Sequence, residues 1–146
     1  MNDKIYSIAY FSKSNINCAR KDIAHAIESI LRLARIKNEE LNITGALLYS
    51  GGYFSQVIEG PMEALEDLFE VIQNDSRHSD IRVLHFNPVE GRYFSDWSMA
   101  LAGVEDRMLL GIDKILKSPD ELNTKQAGLH LINILHDLVQ RHEDFS

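Results

Sequence analysis

Ile43-Thr44-Gly45-Ala46-Leu47-Leu48-Tyr49-Ser50-Gly51-Gly52-Tyr53-Phe54-Ser55-Gln56-Val57-Ile58-Glu59-Gly60-Pro61 is the stretch that decides the fold. Two runs rich in branched and aromatic side chains, 43–50 and 52–59, meet at Gly51-Gly52, a strong hairpin signal. Beyond the hairpin, Gly60-Pro61 opens a helix, with proline at the first helical position where its missing N–H costs little. Met62, Leu65, Leu68, Phe69 and Ile72 form the buried stripe of that helix, and Asn74 to Ser79 its exit. On the other side of the hairpin, Ile23, Ile27, Ile30, Leu31 and Ala34 recur at helical spacing between 19 and 38. That helix is expected to leave near Asn42, which tolerates the left-handed turn a helix exit often needs. Residues 4–11 read as a strand with Tyr6, Ile8 and Tyr10 on one face, followed by a polar loop over 12–18. Ile81 to Pro88 and Trp97 to Val104 read as the last two strands.

The order βαββαββ predicts an α+β fold, a ferredoxin-like sandwich with a mixed five-stranded sheet and both helices on one face. The other face needs a cover. The tail supplies one, a short helix near 106–117 and a longer one over about 119–142, opened by the capping box Ser118-Pro119-Asp120-Glu121. Leu122, Leu129, Ile132, Leu135, Leu138 and Val139 are read either as core for that face or as an output or dimer surface, and the two are compatible. Residues 1–104 form the expected core domain and 105–146 a helical extension. No internal repeat or low-complexity segment interrupts them.

Composition narrows the class. A chain of 146 residues suits one domain with a real core, and 45% hydrophobic with 25% charged residues is ordinary for a globular protein. No apolar run reaches bilayer length, and Met1-Asn2-Asp3-Lys4 is not the start of a signal peptide. The single cysteine, Cys18, forms no internal disulfide, and a reducing cytoplasm is the expected compartment. A net charge of −7 and the lack of a basic run make nucleic acid a poor partner.

Three polar residues do not fit a plain core. Gln56 alternates with Phe54 and Ile58, so it points where its apolar neighbours point, and a buried amide must find partners. Tyr10 is a second polar tip on an inward face, on the strand beside that of Gln56. Asn38 closes the helix packed over both. Pattern alone leaves two readings, satisfied core groups or a site. With a phenol and two amides but no strong base or nucleophile, such a site rearranges hydrogen bonds more naturally than it cleaves anything.

The run Asn38-Glu39-Glu40-Leu41-Asn42-Ile43-Thr44-Gly45-Ala46-Leu47-Leu48-Tyr49 continues into Phe54-Ser55-Gln56-Val57-Ile58-Glu59-Gly60. Asp75-Ser76-Arg77-His78 and Arg92-Tyr93-Phe94-Ser95-Asp96-Trp97-Ser98-Met99 follow in order. This combination, over about residues 4–104, resembles the BLUF family, blue-light sensors that use flavin. The resemblance implies a sensory photoreceptor and not an enzyme, holding oxidised flavin without covalent attachment between the two helices of the sandwich. FAD is the expected cofactor, with FMN and riboflavin left open. The resemblance makes Tyr10 the electron and proton donor and places Gln56 between its phenol and the N5/O4 edge of the flavin. Asn38 then holds the O4/N3 edge, and Ile30 packs on the ring. Asp75, Arg77 and His78 lie near the ribityl chain and pyrimidine edge. Trp97 and Met99 match the family's two switch-associated positions on the last strand; which of them faces the flavin is open. Asn42 stands where the family commonly has glycine, and Asn is the next best residue at a positive φ. A separate downstream signalling protein and a homo-oligomer are the implied partners.

Other signals carry less. His130, His136 and His142 recur every six residues, which spreads them around a helix rather than lining up metal ligands. His25 and His85 read as surface or packing residues, and Glu59 as exposed or a helix-start anion. The alternative readings are a small acyl-phosphate hydrolase on the same fold and a flavin-free interaction domain. The hydrolase wants an arginine-bearing anion loop, which 12–18 does not resemble; the interaction domain has no need of Tyr10, Asn38 and Gln56 together.

Overall fold

A computed structural model describes residues 4–16, 22–117 and 124–144. Five strands and four helices follow in the order β1 (Ile5–Ser14), α1 (Ile23–Glu40), β2 (Thr44–Ser50), β3 (Tyr53–Pro61), α2 (Met62–Gln73), β4 (His78–Val89), β5 (Ala100–Glu105), α3 (Leu110–Lys117) and α4 (Thr124–Asp144). The β2–β3 hairpin turns at Gly51 and Gly52, with φ of 56° and 87°, a backbone that glycine adopts at no steric penalty. Asn42 leaves α1 at φ 59°, the left-handed exit expected of it.

The sheet order is β4-β1-β3-β2-β5. β1 runs antiparallel to β3 and β4, β2 antiparallel to β3, and β5 parallel to β2, which makes the sheet mixed. Strand alternation then sorts side chains into two cores. Ile8, Tyr10, Leu47, Phe54 and Ile58 pack under α1 and α2 with Ile27, Leu31 and Leu65. Ala9, Phe11, Leu48 and Val57 face the other way, against Ile112 and Ile115 of α3 and Leu131, Ile132, Leu135 and Val139 of α4. Each such fully buried aliphatic side chain contributes about 1.5–3 kcal/mol, so α4 belongs to the hydrophobic core of the fold. Leu129, expected in that core, is instead 38% exposed; Ala127 and Leu131 take the inward positions around it. Met62 likewise lies outside the stripe of α2, at 40% exposure.

Several boundaries differ from expectation for local reasons. β1 runs on to Ser14 because the early start of β4 at His78 gives it partners, so 12–14 are strand and not loop. β4 carries two register shifts, and the left-handed Asp80 (φ 53°) sits at the second. Pro61, expected as the first helical residue, instead ends β3 in an extended conformation (ψ 143°) at the N-cap position, so α2 begins one residue later at Met62. β5 starts at Ala100, three residues later than expected. The carbonyls before it bond elsewhere: Arg35 Nε donates to Met99 O, Asn38 Nδ2 to Ser98 O and Gly45 N to Trp97 O. Trp97 and Met99 thus lie on a clamped lead-in rather than on the last strand itself. Cys18, Leu122 and the capping box at 118–121 lie outside the described residues.

Candidate functional site

Tyr10 and Gln56 are direct partners in the β1–β3 register, so their side chains stand together on the α1/α2 face. The Tyr10 hydroxyl donates to Gln56 Oε1. Gln56 Nε2 reaches the other way, 3.3 Å from Met99 Sδ. The Tyr10 phenol is buried, and its ring meets Phe69 edge-on at 5.6 Å. Burial pushes its pKa well above the ordinary value, and the nearby Asp75 charge adds to the rise.

Above this pair α1 and α2 enclose a cavity of about 320 Å³, within the usual range for small-molecule sites. Tyr10, Ile30, Asn38, Gln56, Asp75, Arg77 and His78 all line it. The walls between them are apolar: Ile27, Leu31 and Leu47 on one side, Leu68 and Ile72 on the other. Leu33, 73% exposed, and Val71, 58% exposed, form the lip. Trp97 is not at the cavity. It packs against the α3/α4 core and borders a separate groove beside β5. Of Trp97 and Met99, it is Met99 that meets Gln56.

Asn38 is 2% exposed; its amide N–H donates to Ser98 O at 2.8 Å, while Oδ1 is buried with no hydrogen-bond partner. A buried acceptor left unmade costs on the order of 1–3 kcal/mol, and Asn38 lines the cavity, so a donor on whatever fills the cavity would relieve that cost. At the far end Arg77 folds onto Asp75, its Nε 2.8 Å from Oδ1. The hydrogen bonds from Arg77 hold the Asp75 carboxyl below the usual carboxylate range, against an opposing push from burial. His78 Nε2 lies 2.6 Å from Ile72 O, a pure acceptor, so Nε2 carries a proton, and Nδ1 lies 2.7 Å from Ser12 Oγ. These bonds fix the ring 6.4 Å from those of Tyr10 and Phe54.

A flavin fits this set. Its flat ring suits the apolar walls, and its imide N–H would be a donor for the orphan Oδ1 of Asn38. Sequence reasoning did not single out Arg35 and Ser98, which tie α1 to the lead-in of β5, or the inward role of Glu59. Arg35 stands three residues before Asn38 on one helix face, and that spacing is the signal that would have found it. Glu59 is fully buried, neither exposed nor a helix-start anion, because three donors converge on it.

A ferredoxin-like sandwich with a ring-sized slot between its helices, floored by a phenol–amide pair, defines a ligand-binding sensory domain. Residues 5–100 match the family described as BLUF, sensors of blue-light using FAD, and the chain belongs to that family. It is 35% identical over 100 residues to the photoactivated adenylate cyclase subunit beta of Euglena longa, which covers 68% of this chain and 11% of that protein. The chain therefore spans about a tenth of the length of the curated relatives it matches. Among solved structures, the BLUF protein BlrB in its dark state superposes with a TM-score of 0.69 at 34% identity, covering 90% of this chain and 96% of BlrB. Klebsiella pneumoniae BlrP1, solved with FMN and cyclic diGMP, matches at 0.59 and 35% identity over 66% of this chain and 25% of its own. The domain is a blue-light sensor that uses flavin and is not itself catalytic.

Proposed function

We propose that FAD, with FMN or riboflavin as the alternatives, occupies the α1/α2 cavity, and that Tyr10, Gln56 and Met99 form the switch beneath it. The carrying observation is the unbroken line Tyr10 Oη–Gln56 Oε1/Nε2–Met99 Sδ, whose first two residues line the cavity. When bound and excited by blue light, the flavin supplies a strong oxidant. Tyr10 is the reductant, and its hydroxyl already donates to Gln56, so the phenol proton has somewhere to go as the electron leaves. A charged phenol in this buried place is disfavoured, which ties proton release to electron loss. The electron and the proton then return to Tyr10, and Gln56 would keep the result: rotated or tautomerised, its amide would present a different partner to the flavin edge and to Met99. Asn38 orients the ring through Oδ1, Ile30 packs on it, and Asp75, Arg77 and His78 border the ribityl side.

The lead-in carrying Trp97 and Met99 runs into β5 and the tail helices, so residues 1–104 act as sensor and 105–146 as cap and output surface. Output passes to a separate signalling protein in the cytoplasm, with the chain acting as a homo-oligomer and without catalysis of its own. Among the described residues no helix is long and apolar enough to cross a membrane. The visible absorption spectrum in darkness and after blue light tests the reading. A flavin spectrum that shifts slightly to the red and recovers in darkness is expected. A chain that stays colourless after incubation with FAD refutes it.

A further inference from the structure

On β3, Gln56 and Glu59 face opposite sides of the sheet. Gln56 points into the cavity; three residues on, Glu59 points to the other side and is fully buried. Its oxygens collect three donors: Thr44 Oγ1 at 2.9 Å and Phe94 N at 3.0 Å on Oε1, and Tyr93 N at 2.6 Å on Oε2. Arg92 closes the arrangement from outside. Its guanidinium donates to Thr44 Oγ1 and Asn42 O, both at 2.8 Å, and to Glu59 O at 3.2 Å. Thr44 therefore accepts from Arg92 and donates to Glu59, linking cation to carboxyl through one hydroxyl.

The segment so anchored is the approach to the switch. Phe94 is fully buried, and its carbonyl accepts from Trp97 N at 3.0 Å. Two residues later Met99 Sδ meets Gln56. The Phe94 ring also lies 5.8 Å from that of His136 on α4. Residues 92–99 are thus pinned at one end by Glu59 and at the other by Arg35, Asn38 and Gln56, with α4 in contact between.

We propose that Glu59 is a positioning residue of the light switch: by anchoring the Arg92–Phe94 turn it sets where Trp97 and Met99 lie relative to Gln56. This rests on the switch reading above, but its first readout needs no light. Trp97 is the only tryptophan of the chain, so its fluorescence reports this segment alone. Glu59→Gln keeps one acceptor oxygen but sets an amide N–H against at least one of the three donors, which weakens the anchor. Arg92→Gln, at a partly exposed position, loosens the same turn from outside and keeps the test open should Glu59→Gln fold poorly.

In full-length protein with unchanged far-ultraviolet circular dichroism, acrylamide quenching of Trp97 should rise at least twofold in either variant. The light-induced red shift should persist, while the dark-recovery rate changes at least fivefold. Unchanged quenching and unchanged recovery, with only a lower melting temperature, would show that Glu59 supports the fold and nothing more, and would overturn the proposal. Increased quenching in variants whose recovery is unchanged overturns the link from the turn to the switch. Absence of any red shift in the unaltered protein removes the switch reading itself, an outcome seen before any variant is made.

Discussion

Gly45→Ala is expected to destabilise the protein, although alanine is the better residue in most strand positions. Gly45 faces Ile58 in the β2–β3 register. A Cβ there would lie 2.1 Å from the Val57 carbonyl oxygen and 3.1 Å from Met99 Cε. Real Cβ contacts stop near 3.0 Å, and the first obstacle is backbone inside a central strand pair, so it has no side-chain rotation by which to yield. The strands must part locally, which also strains the bond from Gly45 N to Trp97 O at 3.1 Å. Overpacking of this kind costs about 1–3 kcal/mol or somewhat more, and the upper end applies because backbone must move. Unfolding entropy of about 2.1 cal/mol/K per residue gives roughly 0.3 kcal/mol/K for a chain of this size, so ~3 kcal/mol lowers Tm by about 10 °C. Thermal unfolding followed by circular dichroism measures it directly. A Tm within 2 °C of the parent, or above it, would mean that β2 and β3 are not packed as described and would sink the argument.

Gln56→Leu keeps the apolar shape of the cavity floor and should still bind flavin, while blue light no longer produces the reversible red shift; a normal photocycle in that variant removes Gln56 from the switch. Tyr10→Phe should lose the same shift with the fold intact. It should also flatten alkaline unfolding. Above the ordinary phenol pKa of 10.0 the unfolded chain releases a proton that the buried Tyr10 keeps. The stabilisation is complete below that pH and lost as pH rises, at up to about 1.4 kcal/mol per pH unit. Urea unfolding at pH 9.5 and 11 should therefore separate parent from variant, and identical slopes would contradict the burial of Tyr10. Gly128→Ala in α4 would gain about 1 kcal/mol of helix propensity alone, but its Cβ would sit 2.2 Å from His85 Nδ1. His85 is buried and bonded to Ser7 Oγ at 3.1 Å, so the clash outweighs the gain and Tm should fall; a rise would show that α4 does not rest on His85.

Much of the fold was legible because its signals are local. Gly51-Gly52 between two branched runs specifies a turn whatever surrounds it, and the stripe Ile27, Ile30, Leu31, Ala34 specifies which side of α1 faces inward. Tyr10, Gln56 and Asn38 were legible as anomalies, since period-two and helical alternation already placed polar tips among apolar neighbours. The motifs shared with the BLUF family then supplied roles for them.

What sequence left open depends on contacts between distant residues. Both Trp97 and Met99 fit a strand pattern, and only the fold shows the side chains of Arg35 and Asn38 taking the carbonyls of Met99 and Ser98 while Met99 Sδ meets Gln56. Glu59 read as exposed or a helix-start anion, since an isolated carboxyl is costly to bury. Its donors come from residues 15 and about 35 positions away, a convergence that no local pattern records. In the same way the tail's apolar residues fixed an amphipathic helix, but not its partner. That was decided by the sheet, whose second face lacked a cover until α4 closed over it. Sequence thus set the elements and their faces, because periodicity is written in neighbouring residues. Tertiary structure set the partners across those faces, because hydrogen bonds and close packing join residues that only the fold brings together.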